Sequence, residues 1–228
     1  MIVVVASELD SLAQQLVETW PGKHAFLMTP RDLCSEGWHI KLGRIADGCF
    51  VAGGNRLPVR DLRGILNLIS YVSEYELITI ESASRRYVAA ELTAFLFYLL
   101  TAIKCPVVNR PTANNLTGPD WRPEQWAQAC RTVGIPIKKI QRNSRGSLVA
   151  QTSGEMLCSI SAIGNNCVGD TAAYAANVIA LANLANTTFL TVTFVEYEGN
   201  KVFHSAHLVP DLRDQNLARA IQAHFSDR

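Results

Sequence analysis

The sequence lacks most of the short signatures that announce a catalytic or metal-binding chain. Its six cysteines, Cys34, Cys49, Cys105, Cys130, Cys158 and Cys167, form no CxxC pair, which argues against a zinc ribbon. With no export signal they read as reduced, buried, small hydrophobes, and two buried thiols are a better reading of Cys158 and Cys167 than a disulfide. No Ser-His-Asp or Cys-His set stands out, and Gly53-Gly54-Asn55 alone is not a phosphate loop. There is no excess of one charge. The 21 Lys and Arg are scattered and offset by 20 Asp and Glu, which excludes the basic face a nucleic-acid binder needs. There is no membrane-length apolar run either. "IVVVA" is short, follows no basic segment and breaks at Ser7-Glu8, unlike a signal peptide. The most hydrophobic stretch, "VAAELTAFLFYLLTAI" at 88–103, is interrupted by Glu91 and falls short of the roughly 20 residues a span requires. It reads as a core helix, and the expectation is a cytoplasmic protein with no membrane partner.

What is present is a mixed α/β pattern. "MIVVVA" is a buried-strand pattern, and Leu9, Leu12, Leu16 and Val17 then recur at helical spacing, with Ser7 as the expected N-cap. Pro21-Gly22 ends that helix and "KHAFLMT" returns as a strand, a β-α-β opening that predicts a parallel sheet. "CFVAGG" and "GILNLI" read as further strands around the Gly-Gly-Asn turn, 83–103 as a long helix, and "PVVN" as one more strand. Residues 1–108 thus form an expected open α/β domain. A Pro- and Asn-rich loop opens the second half, 109–228. A helix over "PEQWAQACRTVG" follows, with Gly134 past its end, then a polar turn at 141–147. "LVAQ", "EMLCSISAI" and "CVGD" read as a meander turning at Gly164-Asn165-Asn166. An Ala-rich helix, a hairpin of "FLTVTFVEY" and "KVFHSAHL", and an amphipathic helix over 211–225 complete the chain.

Two stretches carry a resemblance to a known family. "RRYVAAELTAFLFYLL", followed by "CPVVNRPTANNLTGPDWRPEQWAQACRTVGIPI", is similar to the segment joining the N-terminal domain to the core of ATP-grasp peptide-modifying ligases. There an Arg-Tyr helix carries a glutamate, a strand reads Asn-Arg-Pro, and the next helix ends in Gly-Ile-Pro. The closing order of Ala-rich helix, "TVTF", turn, "VFHSAHLVP" and final helix resembles the metal-binding hairpin of the same family. The resemblance covers most of the chain. It implies an α/β fold, with a pre-ATP-grasp-like domain over 1–108 and a reduced ATP-grasp-like α+β core over 109–228. For an intact member it would also imply ATP and Mg²⁺ as cofactors.

The chain departs from that pattern at three separate places. The family's hairpin carries an Asp where this sequence has Thr193, and reads Phe-x-Glu-x-Asn-Pro where Ser205 and His207 replace the Glu and the Asn. Hydroxyls are poor substitutes for carboxylates around a hard divalent cation. Lys138 and Lys139 come one step late for the first nucleotide lysine, and no lysine lies between Lys139 and Lys201. Only about fifteen residues after Gly-Ile-Pro occupy the interval of the family's clamp, enough for a turn and a strand but not for a lid. No catalytic residue and no metal site is therefore assigned.

His204 and His207 are three apart, and on a regular strand they point to opposite faces; they read as structural or solvent-facing rather than as zinc ligands. Arg85, Arg86 and Glu91 could contact an acidic peptide, or form a solvated helix turn in which Glu91 pairs with an arginine. Asn109 and Arg110 follow a parallel strand, where ligands meet open sheets; equally, Asn109 could satisfy loop backbone. Arg142 and Arg145 lie on the shortened loop and could bind an anion or an acidic partner. The leading expectation is a pseudoenzyme: a peptide-binding or accessory subunit in peptide modification, without cofactor, partnered by a peptide or a modification enzyme. A homodimer or heteromer is expected, because a lost lid leaves an apolar floor to cover. The alternative is an ATP-dependent carboxylate–amine ligase using His207, Asp211 and Lys138 as substitutes.

Overall fold

The computed structural model describes residues 1–138, 156–170 and 173–226, with no side chains described for Met156 and Leu157. The expected "LVAQ" strand, the polar turn at 141–147, and Arg142 and Arg145 lie outside the described residues. The chain divides into two compact units. One comprises Met1–Pro119 with Asp211–Arg228, and the other Asp120–Pro210. The division therefore falls later than the expected 108/109 boundary, and the final helix joins the first unit.

The first unit opens with β1 (Ile2–Val5), α1 (Ser11–Glu18) and β2 (Ala25–Met28), then α2 (Pro30–Leu33), β3 (Cys49–Ala52), β4 (Asn55–Pro58), β5 (Gly64–Asn67), α3 (Arg85–Ala102) and β6 (Val107–Val108). The parallel sheet has the order β2-β1-β5-β6. Helix α1 starts at Asp10 rather than after Ser7. The Asp10 carboxylate accepts the amides of Leu12 and Ala13 at 3.1 and 3.0 Å, satisfying two orphan first-turn donors. The Ser7 hydroxyl accepts the Leu9 amide, and Leu9 lies outside the helix, exposed. The Gly53-Gly54 pair is a two-residue hairpin turn, with both φ values positive, the geometry that favours glycine at both positions. Asp32 accepts the Gly54 amide. The Gly-Gly-Asn motif thus turns β3 into β4, while "GILN" joins the parallel sheet.

The second unit contains α4 (Pro123–Thr132), β7 (Met156–Ile163), β8 (Asn166–Gly169), α5 (Ala175–Leu184), β9 (Phe189–Tyr197) and β10 (Asn200–His207). Gly134, at φ +78, follows the last turn of α4. Its amide reaches the Arg131 carbonyl and the Ile135 amide that of Cys130, the paired bonds of a Schellman ending. The strands form an antiparallel sheet of order β10-β9-β7-β8. One face, with Ile160, Ala162, Leu190, Val192 and Phe194, is buried against Trp126 and Cys130 of α4 and Val178, Leu181 and Ala182 of α5.

The last helix, α6 (Gln215–Ser226), buries Leu217, Ile221 and Phe225, one stripe at a four-residue interval. Phe225 lies over Gly64, where a Cβ would come within 2.4 Å of its ring, and beside Trp20 at 6.0 Å between centroids. The missing side chain at Gly64 admits the ring, which explains why α6 returns to the first unit.

Candidate functional site

The strand register brings Thr193, Ser205 and His207 onto one face of the antiparallel sheet. Ser205 lies opposite Thr193, and His207 opposite Thr191. On the other side of β9, Ser159 faces Thr193 and Ser161 faces Thr191. The result is two rows of three polar side chains, Ser159–Thr193–Ser205 and Ser161–Thr191–His207. Ser161 and Thr191 hydroxyls are 2.7 Å apart, Ser159 and Thr193 are 3.4 Å apart, and Ser205 Oγ lies 3.0 Å from His207 Nε2. The two cross-strand hydroxyl pairs, Ser161–Thr191 and Ser159–Thr193, satisfy each other without ionised groups. Buried apolar residues, Ile163 and Phe189 at one end and Val195 and Val202 at the other, bound the patch. Thr193 and Ser161 are themselves buried, at 6% and 7% exposure.

A bulge sets this arrangement. The β9–β10 register shifts between Phe203 and Ser205, so that His204 is the extra residue. Both imidazoles are exposed, and among the described residues no group of three His, Cys, Asp or Glu could hold a metal ion. A Mg²⁺ ion bridging phosphates calls for hard, anionic oxygen ligands. Five hydroxyls and an imidazole do not supply them, so the donor set does not fit that ion.

Two described lysines of this unit have other contacts. Lys138 Nζ sits 4.6 Å from the centre of the Tyr197 ring, a cation–π contact. Lys201 pairs with Asp170, and this hydrogen-bonded ammonium holds the exposed Asp170 carboxyl below its ordinary range.

Arg85, Arg86, Glu91, Asn109, Arg110 and Asp211 lie in the first unit. Arg85 donates from Nε to the Ile80 carbonyl at 2.8 Å and from Nη2 to that of Ile78 at 3.2 Å, bracing the turn before α3. Arg110 donates to the carbonyls of Leu100, Ile103 and Cys105 at 2.9, 3.1 and 2.9 Å. It closes the C-terminus of α3, where unpaired carbonyls favour a cation. Arg86 and Glu91 are exposed, and among the described residues neither forms an ion pair, so the expected pairing of Glu91 with an arginine is not found. Asn109 is buried at 1% exposure, at the carboxyl end of β6. Asn67 occupies the matching end of β5, also at 1%, and donates to the carbonyls of Ile69 and Leu116 at 3.0 and 2.8 Å. Asp211 is engaged by Arg213, with Nε 2.8 Å from Oδ1 and Nη2 2.7 Å from Oδ2, and the guanidinium lowers its carboxyl below the ordinary value.

Ser159, Ser161 and Thr191 escape a reading of isolated motifs. Their signal is the alternation in "CSISAI" and "TVTF", which becomes a site only once the register is known.

No protein-family model matches the chain, and no curated protein matches it. Solved structures do. The macrocyclase MdnC from Microcystis aeruginosa MRC, bound with precursor peptide MdnA, superposes with a TM-score of 0.72 at 11% identity, over 100% of this chain and 99% of that one. A Chryseobacterium gregarium RiPP-associated ATP-grasp ligase, in complex with ADP and a leader and core peptide, gives 0.67 at 9%, over 99% and 95%. The ATP-grasp ligase PsnB, with minimal precursor, Mg and ADP, gives 0.66 at 11%, over 99% and 98%. The fold is that of ATP-grasp ligases. In this ATP-grasp-like fold the hydroxyl-lined face spans β7 and the closing β9–β10 hairpin, the element that sequence resemblance marked as metal-binding. No helix among the described residues is long and apolar enough to cross a membrane.

Proposed function

We propose that this chain is a non-catalytic ATP-grasp-like protein that binds a peptide, or serves as an accessory subunit to a modification enzyme, in peptide or protein modification. One observation carries the reading. The three positions at which the family resemblance expects metal ligands converge on one face, yet they present Thr193, Ser205 and His207 among three further hydroxyls. Without a metal, charge building on phosphoryl oxygens during transfer has no counterion there. Support for a peptide partner comes from the structurally similar proteins, which were solved with precursor or leader and core peptides. Arg86 and Glu91 on α3, and the buried Asn109, remain the peptide-side residues of this reading. The reading carries no cofactor requirement, and it expects a partner, a second copy or another chain, over the nucleotide-side floor.

Calorimetric titration with ATP and MgCl₂ tests it. The expected result is no binding at micromolar nucleotide. Dissociation constants of about 1–100 µM, equivalent to roughly 5–8 kcal/mol, would overturn it. So would ADP release that requires an acceptor peptide and disappears in Asp211→Ala. The second reading, a ligase with substituted residues, gains no support from the geometry, since Asp211 is held by Arg213 and Lys138 lies on Tyr197.

A further inference from the structure

The first unit contains a cavity of about 480 Å³ beneath the C-terminal end of α3, within the range of small-molecule sites. Its floor is cut into the hydrophobic core. Val59, Leu62 and Ile103 line it and are 4%, 8% and 4% exposed, and Tyr98 forms part of the wall. Its rim is cationic. Arg44 is neutralised by Asp47, but Arg60 has only a loose contact with Asp61, at 3.9 Å. Lys104 makes no hydrogen bond or ion pair among the described residues. A lysine just past a helix end would ordinarily serve the last carbonyls, but here Arg110 already holds those of Leu100, Ile103 and Cys105. Lys104 is therefore left over at the mouth of an apolar pocket. Cys105, also in the lining, is pushed up to about 11 by burial, so it stays a neutral thiol rather than a competing anion.

We propose that this cavity binds a small carboxylate with an apolar body, the anion meeting Lys104 and Arg60 and the body resting on Val59, Leu62 and Ile103. Inorganic phosphate is a poorer fit, because the floor offers it no polar partner and an apolar body is what the floor solvates. The site shares no residue with the hydroxyl-lined face, so the proposal stands whether or not the functional reading above does.

The test is a titration of the intact protein with 3-phenylpropionate, followed by amide NMR or calorimetry, beside 3-phenylpropanamide and phosphate. A ligand of this size at ordinary efficiency should bind with a dissociation constant on the order of 1 mM. The amide should bind about tenfold more weakly, because two exposed cations contribute little more than that. The double variant Lys104→Gln/Arg60→Gln should bring the acid to the level of the amide, and Ala102→Trp, which fills the cavity, should abolish both. N-acetyl-Gly-Phe as the free acid separates two sources of the carboxylate. Binding at least as tight as 3-phenylpropionate marks a peptide C-terminus, and weaker binding marks a free small acid. No saturable signal from 3-phenylpropionate, equal binding of acid and amide, competition by phosphate at equal strength, or acid binding unchanged in the double variant would each overturn the proposal.

Discussion

Replacing Thr193 by Asp would place a carboxylate on the hydroxyl-lined face, and its cost measures how poorly that face accommodates an anionic group. Thr193 is 6% exposed. A carboxylate there loses most of its hydration, and burial of this degree raises an acid by roughly two pH units. At about 1.4 kcal/mol per unit the ionised form is disfavoured by nearly 3 kcal/mol. The Ser159 hydroxyl, 3.4 Å from Thr193 Oγ1, and Ser205 opposite could donate to it and return about 1 kcal/mol. Thr193→Asp should therefore destabilise the protein by roughly 2 kcal/mol at neutral pH. The sign with pH follows from linkage. The folded-state value lies above the unfolded value of about 4, so the unfolded chain sheds its proton first and stability falls as pH rises between about 4 and 6. Below that window the variant should approach the wild type, and above it the deficit should be constant. Urea unfolding followed by far-UV circular dichroism at several pH values measures this directly. Millimolar MgCl₂ should leave the wild-type midpoint unchanged. It should recover stability in the triple variant Thr193→Asp/Ser205→Glu/His207→Asn, by about 2.7 kcal/mol at a hundredfold excess over the dissociation constant. A Thr193→Asp variant as stable as the wild type at pH 7 without divalent ions, or a wild type stabilised by MgCl₂, would refute the reasoning.

Three other outcomes follow from the first unit and the cysteines. Arg110→Ala removes three charge-assisted bonds to the end of α3 and should cost about 2–3 kcal/mol, whereas exposed Arg86→Ala should cost under about 0.5 kcal/mol; equal midpoints in urea would show that the cap contributes nothing. Gly64→Ala drives a methyl into the Phe225 ring and should destabilise by about 1–3 kcal/mol, with part of the loss relieved in Gly64→Ala/Phe225→Ala, and strict additivity of the two changes would contradict the contact. Burial pushes the Cys130 thiol up to about 12 while Cys34 is exposed, so iodoacetamide at pH 8 should label Cys34 well before Cys130, as peptide mass mapping would report.

The fold was legible wherever the pattern is local. Short apolar runs located β1 and β2, two such runs about a Glu-Gly-Asn turn located β9 and β10, and the Gly-Ile-Pro ending located the stop of α4, because these signals act within a few residues. The start of α1 was misplaced because Ser7 and Asp10 both fit the capping preference, and only the carboxylate that reaches Leu12 and Ala13 decides between them. The assignment of α6 to the first unit was hidden for a different reason. An amphipathic stripe says that a helix buries one face, not against what, and the partner here is the absence of a side chain at Gly64. The contacts of two candidate arginines were hidden on the same ground. A guanidinium next to a helix end looks alike in sequence whether it waits for a ligand or, as at Arg85 and Arg110, closes carbonyls of its own chain.

The bulge at His204 bears most directly on what the hairpin is for. Side-chain direction alternates along a strand, so a regular β10 would set His204 opposite Thr193 and Ala206 opposite Thr191, turning Ser205 and His207 toward α4 and α5. The extra residue reverses this and delivers Ser205 and His207 to the face shared with Thr193. A sheet whose only task was packing would gain nothing from the irregularity, since a bulge gives up a ladder hydrogen bond and exposes an edge to twist. The bulge thus turns Ser205 and His207 to the side of Thr193, where the side chains are hydroxyls and an imidazole in place of the carboxylates and amide that the family resemblance implies. Geometry of this kind constrains backbone conformation over the whole hairpin, whereas ligand identity rests on three side chains that can be exchanged singly. The proposed non-catalytic reading rests on this combination of three positions sharing one face and the side chains that occupy them.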